Sequence, residues 1–250
     1  MKKIELHILS ILDGVQVEGN TVRIVQQLDR PTYVNVNKVL ESIGGKWDRK
    51  AKGHVFEAEP GEVIEQVMLT GEYTNKKQDF GFFETPYALA EQVIKLAQIH
   101  TSHRVLEPSA GRGALLAPLG DPAQLATRID LDTVEIHPEN VAVLTAKGYR
   151  CRQGDFLKMK GLCEYDVIVM NPPFAKQTDI DHVECALGYL KKGGRLVAIM
   201  SAGVKFRDNK KTNNFRTVVD AYGGEIIDNP DGAFKASGTM VNTVTVVFET

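Results

Sequence analysis

Asp166-Val167-Ile168-Val169-Met170-Asn171-Pro172-Pro173-Phe174 is the stretch whose reading decides the fold. Asp166 to Met170 is an apolar, β-branched run suited to a buried strand. It breaks off at Asn171. Pro172 and Pro173 lack N–H donors and hold φ near −65°, so they cannot continue a ladder. The strand therefore ends in a stiff extended corner that presents a carboxamide, two prolyl carbonyls and an aromatic ring. Such a corner suits a planar group bearing an NH2. The Asn171 side-chain oxygen and the Pro172 carbonyl can both accept from an amine, and Phe174 can stack on the plane. A corner at the carboxyl end of a strand also lies where open α/β sheets bind ligands. The plain alternative, a strand followed by a tight Asn-Pro turn, loses ground if a cofactor site stands upstream.

Upstream, Arg104-Val105-Leu106-Glu107-Pro108-Ser109-Ala110-Gly111-Arg112-Gly113-Ala114-Leu115-Leu116 reads as a short strand entering a glycine-rich turn that opens a helix. Gly111 and Gly113 let a backbone approach a ligand and adopt positive φ. A dinucleotide fingerprint would have a third glycine where Leu116 stands. The carboxylate of Glu107 at the strand end would repel a pyrophosphate but suits a cation. Glu135 ends a second strand, roughly two dozen residues after Gly111, where an acid can accept both hydroxyls of a ribose. Asp155 follows a third strand. Before the turn, Phe80-Gly81-Phe82-Phe83-Glu84-Thr85-Pro86 leads into a helix carrying Leu89, Val93, Ile94, Leu96 and Ala97, with Thr85 placed to cap it and Pro86 at its first position.

Taken in order, Thr85-Pro86, Glu107-Pro108-Ser109-Ala110-Gly111-x-Gly113, Glu135, Asp155-Phe156 and Asn171-Pro172-Pro173-Phe174 resemble the motifs of the S-adenosylmethionine-dependent N6-adenine DNA methyltransferases. The resemblance implies a doubly wound, Rossmann-like α/β domain with a seven-stranded sheet at 76–250. It implies S-adenosylmethionine as cofactor, held by Thr85, Pro86, Glu107, Pro108, Ala110, Gly111, Gly113, Glu135, Asp155, Phe156 and Asn171. Within that family Thr85 would bond the cofactor carboxylate, Glu135 the ribose and Asp155 the adenine amine, with Phe156 packing on the ring. Asn171, Pro172, Pro173 and Phe174 would carry catalysis on a flipped adenine in DNA, with RNA also possible. Phe234 falls roughly where the family places a second stacking aromatic, and a core phenylalanine is the equal alternative.

Residues 1–75 read as a separate small α+β module, with a polar linker at Asn75-Lys76-Lys77-Gln78-Asp79. Ile4–Leu12 and Val22–Gln26 are expected as strands and Val34–Ile43 as a helix ending at Gly44-Gly45. A second helix should run from Pro60-Gly61 to Gly71. Between them Lys46, Trp47, Arg49, Lys50 and Lys52 make a basic hairpin around the only Trp. Its cations suit phosphates and its indole could stack on a base, or the ring could serve the module's own core.

Beyond the corner, Ala175–Asp181 is expected to be a polar, mobile loop. A helix from Ile180 to Leu190 should stop at Gly193-Gly194, before a strand at Arg195–Met200. The stretch 201–216 reads as a loop on the active-site side, with Lys205, Arg207, Lys210, Lys211 and Arg216 available for phosphates. Glu225–Asp228 and Val241–Phe248 should form a terminal hairpin. The interval between Phe174 and Gly193 is short for a target-recognition region, which points to a short or relaxed target sequence.

The chain's 43% hydrophobic content supports a globular core, and its net charge of −2 removes any global attraction to nucleic acid, so contact must be local. No apolar run matches a membrane span, and the Met1-Lys2-Lys3 start is followed by no cleavage signal. Cys151, Cys163 and Cys185 read as free thiols of a reducing cytoplasm. The six histidines lack ligand spacing, so no metal is expected. Two other classes compete: methyltransferases of guanine N2 or protein glutamine, which share Asn-Pro-Pro-aromatic corners, and a non-catalytic nucleic-acid-binding protein on the same scaffold.

Overall fold

A computed structural model describes residues 4–71, 83–159, 164–237 and 239–250. The expected linker at 75–79, the lead-in Phe80-Gly81-Phe82, the 75/76 boundary and Cys163 lie outside the described residues.

The N-terminal part runs α1 (Leu6–Asp13), β1 (Gln16–Glu18), β2 (Thr21–Arg23), α2 (Arg30–Ser42), β3 (Lys46–Asp48), β4 (Gly53–Val55) and α3 (Gly61–Thr70). Its four strands pair antiparallel in the order β1-β2-β4-β3. The expected first strand is instead α1. Ile4, Ile8, Leu9 and Leu12 recur at helical spacing and all four are buried, so one helical face collects apolar residues that a strand would divide between two. The strand expected at Val22–Gln26 is shorter, at Thr21–Arg23. Asp29 caps α2 by accepting from the Thr32 N–H at 2.9 Å, and Gly71 ends α3 in the left-handed conformation. These elements enclose their own core around Leu12, Val22, Val36, Leu40 and Val67.

The larger part runs α4 (Tyr87–Ala97), β5 (Arg104–Glu107), α5 (Pro122–Leu125), β6 (Asp130–Glu135), α6 (Pro138–Ala146), β7 (Cys151–Gln153), β8 (Tyr165–Met170), α7 (Thr178–Leu187), β9 (Leu190–Ser201), α8 (Gly203–Phe206), α9 (Lys210–Ala221), β10 (Glu225–Asp228) and β11 (Thr243–Glu249). The seven strands are ordered β10-β11-β9-β8-β5-β6-β7. β7, β6, β5, β8 and β9 are parallel, and β11 and β10 close the sheet antiparallel. The strand order reverses between β5 and β8, which makes their carboxyl ends the crevice of the sheet. Residues of β8 alternate between its two faces. Val167 and Val169 join the core under α4, and Ile168 and Met170 join the core that includes Ile180, Val183, Phe215 and Phe248. A central strand covered on both faces reads as a continuous apolar run for this reason.

Several expected boundaries move. The glycine-rich turn opens no α-helix: residues 108–116 are turns and irregular backbone that run into a single 3-10 turn at Ala117–Leu119. The expected loop 175–181 already contains the start of α7, and β9 begins at Leu190 rather than Arg195, running through Gly193-Gly194. The stretch 201–216 contains α8 and α9 in place of a loop.

The two parts are joined by buried polar contacts. Arg207, 3% exposed, donates to both oxygens of Glu65 on α3 at 3.0 and 3.1 Å and lies 3.7 Å from Asp13 on α1. Asn242 donates to the carbonyls of Leu69 and Thr70, each at 2.9 Å. Replacing Arg207 with alanine would leave two half-buried acids without their cation. R207A should lower unfolding free energy by about 3–5 kcal/mol in urea denaturation.

Candidate active site

The carboxyl ends of β5, β6, β7 and β8 surround a cavity of about 340 Å³. Its walls include Glu135, Asp155, Phe156 and the whole corner Asn171-Pro172-Pro173-Phe174, together with Phe83, Pro108 and Ser109. A smaller hollow of about 10 Å³ adjoins it through Phe83, Ser109 and Asn171 and reaches Thr85, Glu107 and Ala110. The sheet thus brings the sequence motifs of 85, 107–113, 135, 155 and 171–174 to one place.

Glu135 sits beneath the glycine turn. Its Oε2 accepts from the Gly111 N–H and its Oε1 from the His137 N–H, both at 2.7 Å. Each oxygen keeps a further acceptor position for a hydroxyl. Gly111 and Gly113 stand at φ 53° and 81°, the positive values that favour glycine. Asp155 accepts from the Leu157 N–H at 3.1 Å, and a side-chain hydrogen bond from Lys158 holds its carboxyl below the ordinary range, so it is ionised at neutral pH. Glu107 is fully enclosed. Burial, with the nearby Glu135 adding to it, pushes its carboxyl well above the ordinary range.

Asn171 decides the polarity of the corner. Its Nδ2 donates to the Thr85 hydroxyl at 3.0 Å and to the Phe83 carbonyl at 3.2 Å. Both amide hydrogens are used, so the orientation of the carboxamide is fixed. Its Oδ1 is buried and has no partner among the described residues, as are Glu107 Oε2 and Ser109 Oγ. Thr85 therefore does not cap α4, as the sequence suggested. α4 starts after Pro86 with no side-chain cap, because the Thr85 hydroxyl is drawn across to Asn171.

Phe174 lines the cavity, and Phe234 stands edge-on behind it at 6.3 Å and 89°. Phe234 is fully buried and outside the cavity wall, so its core reading stands and its stacking reading does not. Sequence reading missed Ile136, His137 and His182 in the wall. Ile136, an apolar residue 53% exposed just after Glu135, is the one whose pattern was visible. His182 donates Nδ1–H to the Thr178 carbonyl at 2.9 Å, since a carbonyl only accepts, and its burial lowers its basicity.

The cations of 201–216 have other partners. Arg207 is sealed at the junction, a correction to its expected phosphate contact. Lys205 pairs with Asp228 and Lys211 with Asp181, each at 2.7 Å. Arg216 donates to the carbonyls of Val204 and Arg207 at 2.9 and 3.0 Å. Lys210 is exposed. On the hairpin, Lys46, Arg49, Lys50 and Lys52 are exposed, and Trp47 is 49% exposed, with its ring 5.4 Å from His54 in an edge contact. Among the described residues no three potential ligands converge on a metal-sized site, and no helix is long and apolar enough to cross a membrane.

A model of the methyltransferase small domain matches residues 84–223. The chain belongs to this family. The motifs at 107–113, 135, 155 and 171–174 all fall within the matched residues. The methyltransferase is similar in fold to the methyltransferase subunit of a type I restriction-modification system from Streptococcus thermophilus. That pair has TM-score 0.59 and 16% identity over 87% of this chain and 53% of the other. It is also similar to a Listeria monocytogenes protein described as a class I S-adenosylmethionine-dependent methyltransferase, at TM-score 0.54 and 14% identity, covering 74% of this chain and 66% of that one. A dimethyladenosine transferase from Plasmodium falciparum has TM-score 0.51 and 17% identity, covering 68% and 64%. The methyltransferase thus spans about half to two thirds of the length of these structures. No curated protein matches its sequence.

The donor set fits S-adenosylmethionine. Glu107 Oε2 and Ser109 Oγ, buried and without partners among the described residues, border the smaller hollow, where a cationic amino acid group would satisfy them, and the larger cavity offers carboxylates and an aromatic wall for a nucleoside. A Cβ on residue 113 would come within 3.1 Å of Leu144 and Tyr149 in a left-handed backbone. G113A should cost about 1–3 kcal/mol in chemical denaturation and weaken S-adenosylhomocysteine binding about tenfold in calorimetry.

Proposed function

We propose that this methyltransferase methylates the exocyclic N6 amine of an adenine flipped out of DNA, with a short or relaxed target sequence. The observation that carries the reading is the fixed carboxamide of Asn171, with Oδ1 as a buried acceptor beside the Pro172 carbonyl. An unpaired buried acceptor costs about 1–3 kcal/mol, a penalty an incoming amine removes. S-adenosylmethionine supplies an electrophilic methyl on a sulfonium.

The chain's own residues position the nucleophile. An adenine N6 lone pair is delocalised into the ring. Hydrogen bonds from N6–H to Asn171 Oδ1 and the Pro172 carbonyl favour a pyramidal nitrogen and aim its lone pair. Phe174, braced from behind by Phe234, offers a surface for the extruded base. As the N–C bond forms, the S–C bond breaks and the sulfur keeps the electron pair; the amine proton leaves to water afterwards. Asn171, a neutral amide, is no base, and positioning does the catalytic work. Glu107 would meet the cationic amino acid group, Glu135 the ribose and Asp155 the cofactor amine.

Nucleic-acid contact falls to the exposed hairpin Lys46, Trp47, Arg49, Lys50 and Lys52, with Lys210 a further exposed cation in 201–216. Lys205, Lys211 and Arg216 would have to exchange existing partners for phosphates.

The test is transfer of labelled methyl from S-adenosylmethionine to unmethylated duplex DNA, followed by nucleoside analysis. N6-methyladenine is expected, with N171A slower by about 100-fold or more while still binding the cofactor. Methylation of RNA alone, or of a protein glutamine, would overturn the DNA reading.

A second prediction follows from Glu107. Burial holds its carboxyl well above the ordinary range, and contact with a cation should draw it back down. Calorimetry in buffers of different ionisation enthalpy should show proton release on S-adenosylmethionine binding at neutral pH, lost in E107Q. Binding with no proton exchange would remove Glu107 from the cationic contact.

A further inference from the structure

Lys176 and Gln177 follow the amine corner directly, and both stand in the left-handed region, at φ 55° and 57°. Neither is glycine. Two consecutive side-chain-bearing residues there are disfavoured by contact between Cβ and the following carbonyl, and such a turn persists only where its surroundings over-determine it. Its local bonds are the Gln177 N–H to the Phe174 carbonyl at 3.1 Å and the Thr178 hydroxyl to the Ala175 carbonyl at 2.6 Å. The remaining hold comes from outside. Gln177 Oε1 accepts from the Thr212 hydroxyl at 2.6 Å and from Asn209 Nδ2 at 3.2 Å.

Asn209 has a second role. Its Nδ2 also donates to Asp13 Oδ2 at 2.9 Å, and its Oδ1 accepts from the Thr212 N–H at 3.0 Å, which caps α9. A backbone N–H at the oxygen fixes the carboxamide, so the NH2 must face Gln177 and Asp13, with one hydrogen for each. Asp13 is the last residue of α1, where a carboxylate opposes the helix dipole. The needs of α1 do not explain an acid there. Its contacts with Asn209 and Arg207 do.

We infer that Asn209 is a positioning residue that holds the turn closing the amine corner and ties that turn to the N-terminal part through Asp13. The corner's shape is then set partly by how the N-terminal part sits against α8 and α9. A nucleic acid that engages the hairpin of that part would act on the corner through this chain of side chains.

Hydrogen exchange of the full chain, without substrate, tests this. N209S keeps a helix cap but cannot supply both donors. It should speed exchange of the Gln177 and Thr178 N–H groups by about tenfold or more while leaving α9 at wild-type rates. D13A should do the same, and D13N, whose amide oxygen still accepts, should restore wild-type rates. Faster exchange throughout α9 in N209S, with 174–178 unchanged, would reduce Asn209 to a cap. Wild-type rates at 174–178 in D13A would disconnect the N-terminal part. Either result overturns the inference, and neither depends on which base or nucleic acid is methylated.

Discussion

The side-chain amide of Asn171 has both hydrogens committed, to Thr85 and to the Phe83 carbonyl. This single constraint turns a strand end into a directional site. A carboxamide free to rotate would offer donor and acceptor alike; one locked this way leaves only its oxygen uncommitted. The lock needs α4 and the residues 83–86 before it to lie against the end of β8, and that placement follows from the burial of Leu89, Ala90 and Val93 against the sheet. The chemistry of one atom thus depends on the packing of a helix far from it in sequence.

The same economy appears in the acids around the cavity. Glu107 and Glu135 are both buried at neighbouring strand ends, yet their surroundings separate them. Glu135 receives two backbone N–H groups, while Glu107 Oε2 has no partner among the described residues. Two acids of like kind therefore sit in unlike surroundings, one with backbone donors on both oxygens and one whose burial pushes its carboxyl well above the ordinary range.

Much of this was legible in the sequence, and the reasons are local. β8 shows as a β-branched run because both its faces are covered, and its end shows because proline removes donors. The glycine pair and the acids at strand ends are visible because each need is met by a residue type at a fixed interval. What the sequence hid depends on distant partners. The charge run of 201–216 looked like a phosphate-binding face. Its neutralising groups, Glu65, Asp13, Asp181 and Asp228, are scattered along the chain and meet it only after folding. The roles of Thr85 and Phe234 likewise follow from Asn171 and Phe174, neither of which is a sequence neighbour. α1 was taken for a strand because a short apolar segment satisfies either period when turn residues flank it.

The buried guanidinium of Arg207 also bears on modularity. The N-terminal part has a core of its own, as an exchangeable cassette would. Its docking surface, however, must deliver two carboxylates, those of Asp13 and Glu65, to a side chain sealed from water. A foreign cassette without both acids would strand that cation in a dry interface. Grafting a different N-terminal part onto this sheet therefore means transplanting an electrostatic socket together with the fold that carries it.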